Sequence, residues 1–218
     1  VCLRWPKVRG AIIGLAAFAL IGAGVATGHQ VKYWRNSRAL YEHTLAVTAD
    51  NSVILENLGI EMGVENDAAQ SVQLLQDALK LSPDRGSIFY NLGKAYSMEH
   101  RLTDALAADE MAVQLRPGDP KSLNNLAWIY AASPQPELRN GAKAVALAEK
   151  ACQLTQRQDP EILDTLAAAL AETGRFTDAI QTTIEMQNLA RAEHDDAIAS
   201  LAESRLRAYR AGQALHEE

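Results

Sequence analysis

Apolar and small residues recur along this chain on a beat of 34. The pairs Leu58–Gly59, Leu92–Gly93 and Leu126–Ala127 stand 34 residues apart, and a fourth, Leu166–Ala167, follows after 40. A repeat of that length is one helical hairpin, which cannot bury its apolar face alone and stacks on its neighbours to do so. The pattern therefore predicts an all-α chain of stacked helical hairpins. Ahead of the first beat, Ala11–Thr27 carries no charge and predicts a separate apolar helix.

With each Leu–small pair taken as the seventh and eighth positions, four units cover 52–193, as 52–85, 86–119, 120–159 and 160–193. The second is the most regular, with Phe89, Leu92, Gly93, Tyr96, Ala105, Ala112 and Pro117 at positions 4, 7, 8, 11, 20, 27 and 32. This pattern resembles the tetratricopeptide repeat (TPR), which implies an alpha-solenoid with the first helix of each hairpin lining a concave groove. Gly93 and Ala105 are placed where two helices cross, and larger side chains there would overpack the contact. Pro117 closes the second helix, because proline lacks the amide donor and keeps its predecessor out of helical angles. In the first unit Leu55, Ala78 and Pro83 take the matching places, while Ser71 stands where the crossing alanine belongs.

The third unit departs from the pattern. Its crossing alanine is Ala144, five residues late, and the extra length falls in Ser133–Asn140, whose prolines suit a turn. The fourth unit recovers with Leu166, Ala167, Gly174, Phe176 and Ala179. Beyond it, 194–212 reads as a capping helix with Ile198, Leu201, Leu206 and Tyr209 inward, and 213–218 as a tail. Within 29–51, Trp34–Thr48 reads as the second helix of a half repeat, joined to the apolar helix without a Gly/Ser linker.

The apolar stretch at 10–28 is 19 residues, about 28 Å as a helix, enough for a hydrocarbon core of about 30 Å. A basic flank at 1–9 with Arg4, Lys7, Arg9 and Trp5 precedes it, and Tyr33 and Trp34 follow at the place of interfacial aromatics. Gly10 and Gly14, and again Gly24 and Gly28, share a face of the kind that lets a second helix approach closely. Two readings stay open: a retained transmembrane helix, which the length favours, or a signal peptide cut at Gly24-Val25-Ala26. Lys32, Arg35 and Arg38 on the far side balance the basic flank, so charge leaves the orientation undecided. The first residue is Val, as expected of a processed chain or a piece of a longer one.

Charge narrows the partners. The net charge is −6 overall, and from His29 onward 18 basic residues face 27 acidic ones. An acidic body with no basic stripe argues against nucleic acid. Cys2 and Cys152 make no disulfide framework, and Cys152 falls on an apolar helical phase, where a thiol acts as a small hydrophobe. His29, His43, His100, His194 and His216 show no metal spacing. His194-Asp195-Asp196 opens a helix, where acids are ordinary partners of the helix dipole. No phosphate-cradling loop is present, so neither a cofactor nor a metal nor a catalytic residue is expected.

The candidate site is a peptide-binding groove. Position 6 is Asn57, Asn91 and Asn125 in successive units, then Thr165, and an amide both donates to and accepts from a peptide backbone. The run resembles the asparagine ladder of the O-GlcNAc transferase TPR domain, although asparagine is also common at this position in ordinary repeats. Tyr90, Lys94, Lys121 and Trp128 are expected on the same face, with Trp128 as the energetic anchor. The carboxylate clamp of chaperone-binding TPR domains would set a particular basic or amide residue at each of 56, 60, 91, 121 and 125, and Asn91 and Lys121 match. Glu56, Ile60 and Asn125 do not fit, which excludes that partner.

A wider resemblance rests on Tyr33-Trp34-Arg35-Asn36-Ser37, Asn124-Asn125-Leu126-Ala127-Trp128, Arg139-Asn140-Gly141 and Leu163–Ala169. These runs resemble the C-terminal part of bacterial transmembrane-and-TPR O-mannosyltransferase-like membrane proteins. The resemblance implies a TPR domain outside the cytoplasm and a catalytic half upstream, with no catalytic residue in this chain. Three expectations follow: a membrane-anchored scaffold binding a protein or peptide segment, the substrate-recruiting arm of a glycosyltransferase whose membrane helices pack against this one, or a secreted scaffold.

Overall fold

The computed structural model describes residues 6–48 and 50–216, with no account of the side chains of Pro6–Arg9 and His29. Cys2, Arg4 and Trp5 lie outside the described residues, and so do the side chains of Lys7 and Arg9. Helix α1 (Pro6–Tyr33) is followed by α2 (Ser37–Val47) and then by four antiparallel pairs. These are α3 (Ser52–Val64) with α4 (Ala68–Leu81), α5 (Gly86–Met98) with α6 (Leu102–Leu115), α7 (Pro120–Ala132) with α8 (Gly141–Leu154), and α9 (Pro160–Glu172) with α10 (Phe176–Ala192). Helix α11 (Asp196–Arg210) closes the series, and no strand occurs among the described residues.

Local chemistry sets the helix boundaries. The side chains of Asn36, Asn51, Asp67, Asp119, Asn140, Asp159 and Asp195 each accept a backbone N–H from the first turn of the helix that follows. Such caps satisfy amides that would otherwise lack partners. The turns inside three of the four hairpins repeat one geometry. Asn66, His100 and Gly174 hold φ of 64°, 56° and 77°, and His194 holds 59° between α10 and α11. After each of them a backbone N–H reaches back five residues: Asp67 to Met62, Arg101 to Tyr96, Arg175 to Leu170 and Asp195 to Ala190, at 2.8–2.9 Å. Asparagine tolerates the left-handed region and glycine enters it freely. The two histidines have therefore a backbone role at the turns.

The crossings explain the small residues. Ala105, Ala112, Ala144, Ala151 and Ala179 are fully buried. A Cβ on Gly59 would stand 2.8 Å from Leu75 Cγ, so α3 and α4 approach closely there. Ser71, in the place of a crossing alanine, is tolerated because its hydroxyl donates to the Gly59 carbonyl at 2.7 Å. A buried hydroxyl without that bond would be costly.

The long connection between α7 and α8 contains a short 3-10 turn, Pro136–Leu138, and is tied down at both ends. Asn140 N–H donates to the Tyr130 carbonyl at 2.8 Å, and Arg139 donates to the Ser133 carbonyl at 2.9 Å and to Glu172 at 3.0 Å. At the other end of the stack, Arg38 bridges α2 to Glu65 at 2.8 Å. Tyr33 stacks on His43 with ring centroids 3.6 Å apart, joining α1 to α2. Along its described side chains helix α1 is otherwise exposed. Gly10–Tyr33 is long and apolar enough to cross a membrane, and nothing in the fold lies within 4 Å of a Cβ placed on Gly10, Gly14, Gly24 or Gly28.

Candidate binding groove

The first helices of the hairpins, α5, α7 and α9, meet α11 around a cleft of about 390 Å³. Lys94, Asn125 and Trp128, three of the seven residues expected in the groove, line it together. Asn91 lines a second cleft of about 260 Å³ toward α3, and Lys94 reaches both. Asn57 and Tyr90 are half-buried, and Lys121 is exposed on the first turn of α7. None of these three reaches either cleft.

The asparagines are not equivalent. Asn91 donates through Nδ2 to Glu56 Oε1 at 3.1 Å, and Glu56 Oε2 lies 3.0 Å from Arg85 Nε. Glu56 is 5% exposed, so this amide serves a buried carboxylate linking α3 to α5. Among the three, Asn125 is the one facing the large cleft. Lys94 Nζ lies 5.8 Å from the centre of the Tyr90 ring. The Tyr90 hydroxyl is pushed above its ordinary value, first by burial and then by Asp119, Asp109 and Glu161. It stays neutral and keeps its proton to donate.

Helix α11 is more than a cap. Arg205 Nε and Nη2 grip Asp164 Oδ1 and Oδ2 at 3.0 and 3.1 Å, with both side chains below 10% exposed. The same guanidinium lies 5.7 Å from the Trp128 ring centre. Leu206 and Tyr209 are buried as the helical pattern expected, but Leu201 is 38% exposed and faces the cleft beside Ile198. The expectation of Leu201 in the core is thus corrected. Leu201 and Arg205 stand one turn apart on the face of α11 that lines the cleft, so Leu201 borders the open space that Arg205 spans to reach Asp164.

Asp109 is the residue that the helical pattern did not single out. It is 1% exposed on α6, against Gly93, and lines the cleft. Burial pushes its carboxyl well above the usual carboxylate range. The signal was present in the repeats: four residues beyond the crossing position stand Leu75, Asp109, Ala148 and Thr183, so one acid interrupts a column of apolar and small residues. Asn124, next to it in the cleft, has a buried Oδ1.

Cys152 is buried and free, its thiol pushed up to about 11 chiefly by burial. No cluster able to hold a metal occurs among the described residues.

The architecture aligns with TTC0263, a thermophilic TPR protein of Thermus thermophilus, with a TM-score of 0.63 over 84% of this chain and 96% of that one at 19% identity. The fold is a TPR solenoid. The TPR solenoid also aligns with MamA, with a TM-score of 0.58 over 84% of this chain and 97% of that one at 16% identity. YrrB, described as a TPR protein with an unusual peptide-binding site, aligns at 0.58 over 78% of this chain and 92% of that one at 12% identity. No protein-family model matches the chain, and no curated protein sequence does.

Proposed function

We propose that this chain is a membrane-anchored TPR scaffold that holds an extended protein segment in the cleft between α5, α7, α9 and α11. The cleft carries the reading. It joins an aromatic ring, Trp128, and apolar side chains to a few polar groups, the composition of a binding site. Asn125 supplies an amide to a peptide backbone, Trp128 supplies the buried contact area, and Lys94 supplies a charge at the rim. Asn91 and Lys94 line the second cleft and extend the track toward α3, whereas Asn57, Tyr90 and Lys121 stand outside both clefts and serve as flanking contacts. The peptide-binding site named for YrrB is in keeping with such a use of the fold. The scaffold works by holding its partner, without chemistry of its own.

Gly10–Tyr33 serves as the anchor, with the solenoid outside the cytoplasm. The short turn at Trp34–Asn36 and the Tyr33–His43 stack hold the solenoid at a set angle to the bilayer. A second reading makes the chain the substrate-recruiting arm of a membrane glycosyltransferase of the O-mannosyltransferase type. The bare glycine face of α1 favours it, since such faces pack against other membrane helices.

Photo-crosslinking in cells tests the scaffold. A benzophenone amino acid at Lys94 or Asn125 should yield adducts with another polypeptide, and one at Ala146 on the outer face should not. Equal adducts from all three sites would refute the groove. Resistance of the chain to alkaline carbonate extraction tests the anchor.

A further inference from the structure

Two buried acceptor atoms on residues that line the cleft have nothing to accept from. Asp109 Oδ1 and Asn124 Oδ1 are buried without a hydrogen-bond partner, and both residues line the cleft. The cations of the same cleft are directed elsewhere: Arg205 holds Asp164, and Lys94 is turned to the Tyr90 ring. Glu161 adds negative charge on the α9 side, where Asp164 is already matched by Arg205. A carboxyl where the preceding repeat has Leu75 weakens the fold, because a buried polar group without a partner is costly. An occupant that donates to it removes that cost.

Three occupants can be compared. An acidic side chain carries no donor at neutral pH, so it would leave both acceptors unpaired and set a second carboxylate near Glu161. An apolar one would leave both acceptors unpaired. A lysine or arginine fits throughout: its methylene stem lies along Trp128, Met186 and Ile198, and its head donates to the two acceptors. The chain from His29 onward, with 18 basic and 27 acidic residues, favours a basic partner as a whole.

We propose, on the basis of the groove reading above, that the bound segment places a lysine or arginine side chain in this cleft, with its cationic head on Asp109 and Asn124. The column of Leu75, Asp109, Ala148 and Thr183 makes this a property of one repeat only. The cleft thereby sets the register of the segment.

Fluorescently labelled peptide pools, each with one defined central residue between randomised flanks, test this against the full chain in detergent micelles. Lysine- and arginine-centred pools are expected to bind roughly tenfold or more tightly than their neutral isosteres, centred on norleucine and citrulline, as a charge-assisted hydrogen bond provides. Asp109→Asn should erase that preference while its melt shows a folded chain. The comparison of pools on the native chain stands even if the variant does not fold. Equal binding of lysine and norleucine pools, weakened together by Trp128→Ala, would overturn this inference and leave the groove standing. A glutamate-centred pool binding tightest would also overturn it. Failure of every pool to bind would overturn both.

Discussion

Asp109 fills the space that a side chain at Gly93 would need. A Cβ built on Gly93 collides with Asp109 Oδ1, just as a Cβ on Gly59 one repeat earlier would press on Leu75. The same close approach of two helices thus holds an apolar residue in one repeat and a carboxyl in the next. Gly93→Ala should destabilise the chain by about 1–3 kcal/mol through overpacking. Most of that loss should disappear in an Asp109→Ala background, because the two substitutions share one space. A double-mutant cycle by chemical denaturation checks the coupling, and strict additivity would place the strain elsewhere.

Asp109→Leu, which copies Leu75, should raise stability by about 1–3 kcal/mol, the cost typical of a polar group buried without a partner. The expected outcome is a higher melting temperature together with weaker peptide binding. A lower melting temperature would mean that Asp109 is satisfied in the native fold.

The same carboxyl makes stability depend on pH with a definite sign. Its folded value is raised by burial above the ordinary 3.8. Below 3.8 the group is protonated in both states. As pH rises, the unfolded chain releases the proton first while the folded chain keeps it, so stability falls until the raised folded value is passed. Lys94 on α5, Glu161 and Asp164 on α9 and Arg205 on α11 share its cleft and are common to native and variant chains. Stability of the native chain minus that of Asp109→Asn should therefore decline from pH 3.8 upward. A flat difference would contradict the burial of Asp109.

Arg205 and Asp164 should behave as a pair. Asp164→Ala alone leaves a buried guanidinium without its carboxylate and should cost about 3–5 kcal/mol. Replacing both, with Arg205→Met and Asp164→Leu, should recover much of the loss. Hydrogen exchange across α11 reads the effect, and unchanged protection in the single variant would show that the pair does not hold the helix.

Ala105 has no exposure at the α5–α6 crossing. Ala105→Glu should abolish cooperative unfolding, because it forces an unpaired charge into that contact. A circular-dichroism melt like that of the native chain would refute the register of the repeats.

The repeats were legible because backbone and packing geometry leave short-range marks. Leu–small pairs, crossing alanines and the prolines after α4 and α6 all follow from two helices touching at a set distance. The displaced Ala144 likewise revealed the longer connection before α8. The groove was legible only in part. Asn57, Asn91 and Asn125 look alike in sequence, yet the carboxylate of Glu56 engages Asn91 from 35 positions away. Arg205 falls on a helix with a polar back, and its burial follows from Asp164, 41 positions earlier. Helical periodicity carries no information about such a pairing. Asp109 was visible only by comparing equivalent places across repeats, because within α6 alone an acid reads as surface. His100 and His194 gave no chemical signal because their role is backbone conformation.

Fluorine NMR of the full chain labelled with 5-fluorotryptophan tests the central claim most directly, since its three tryptophans include Trp128 in the groove and Trp34 at the end of α1. Titration with the tightest-binding peptide pool should shift the Trp128 resonance and leave that of Trp34 in place. Saturation without movement of Trp128, or movement of Trp34 alone, would contradict the groove as the place where this chain holds its partner.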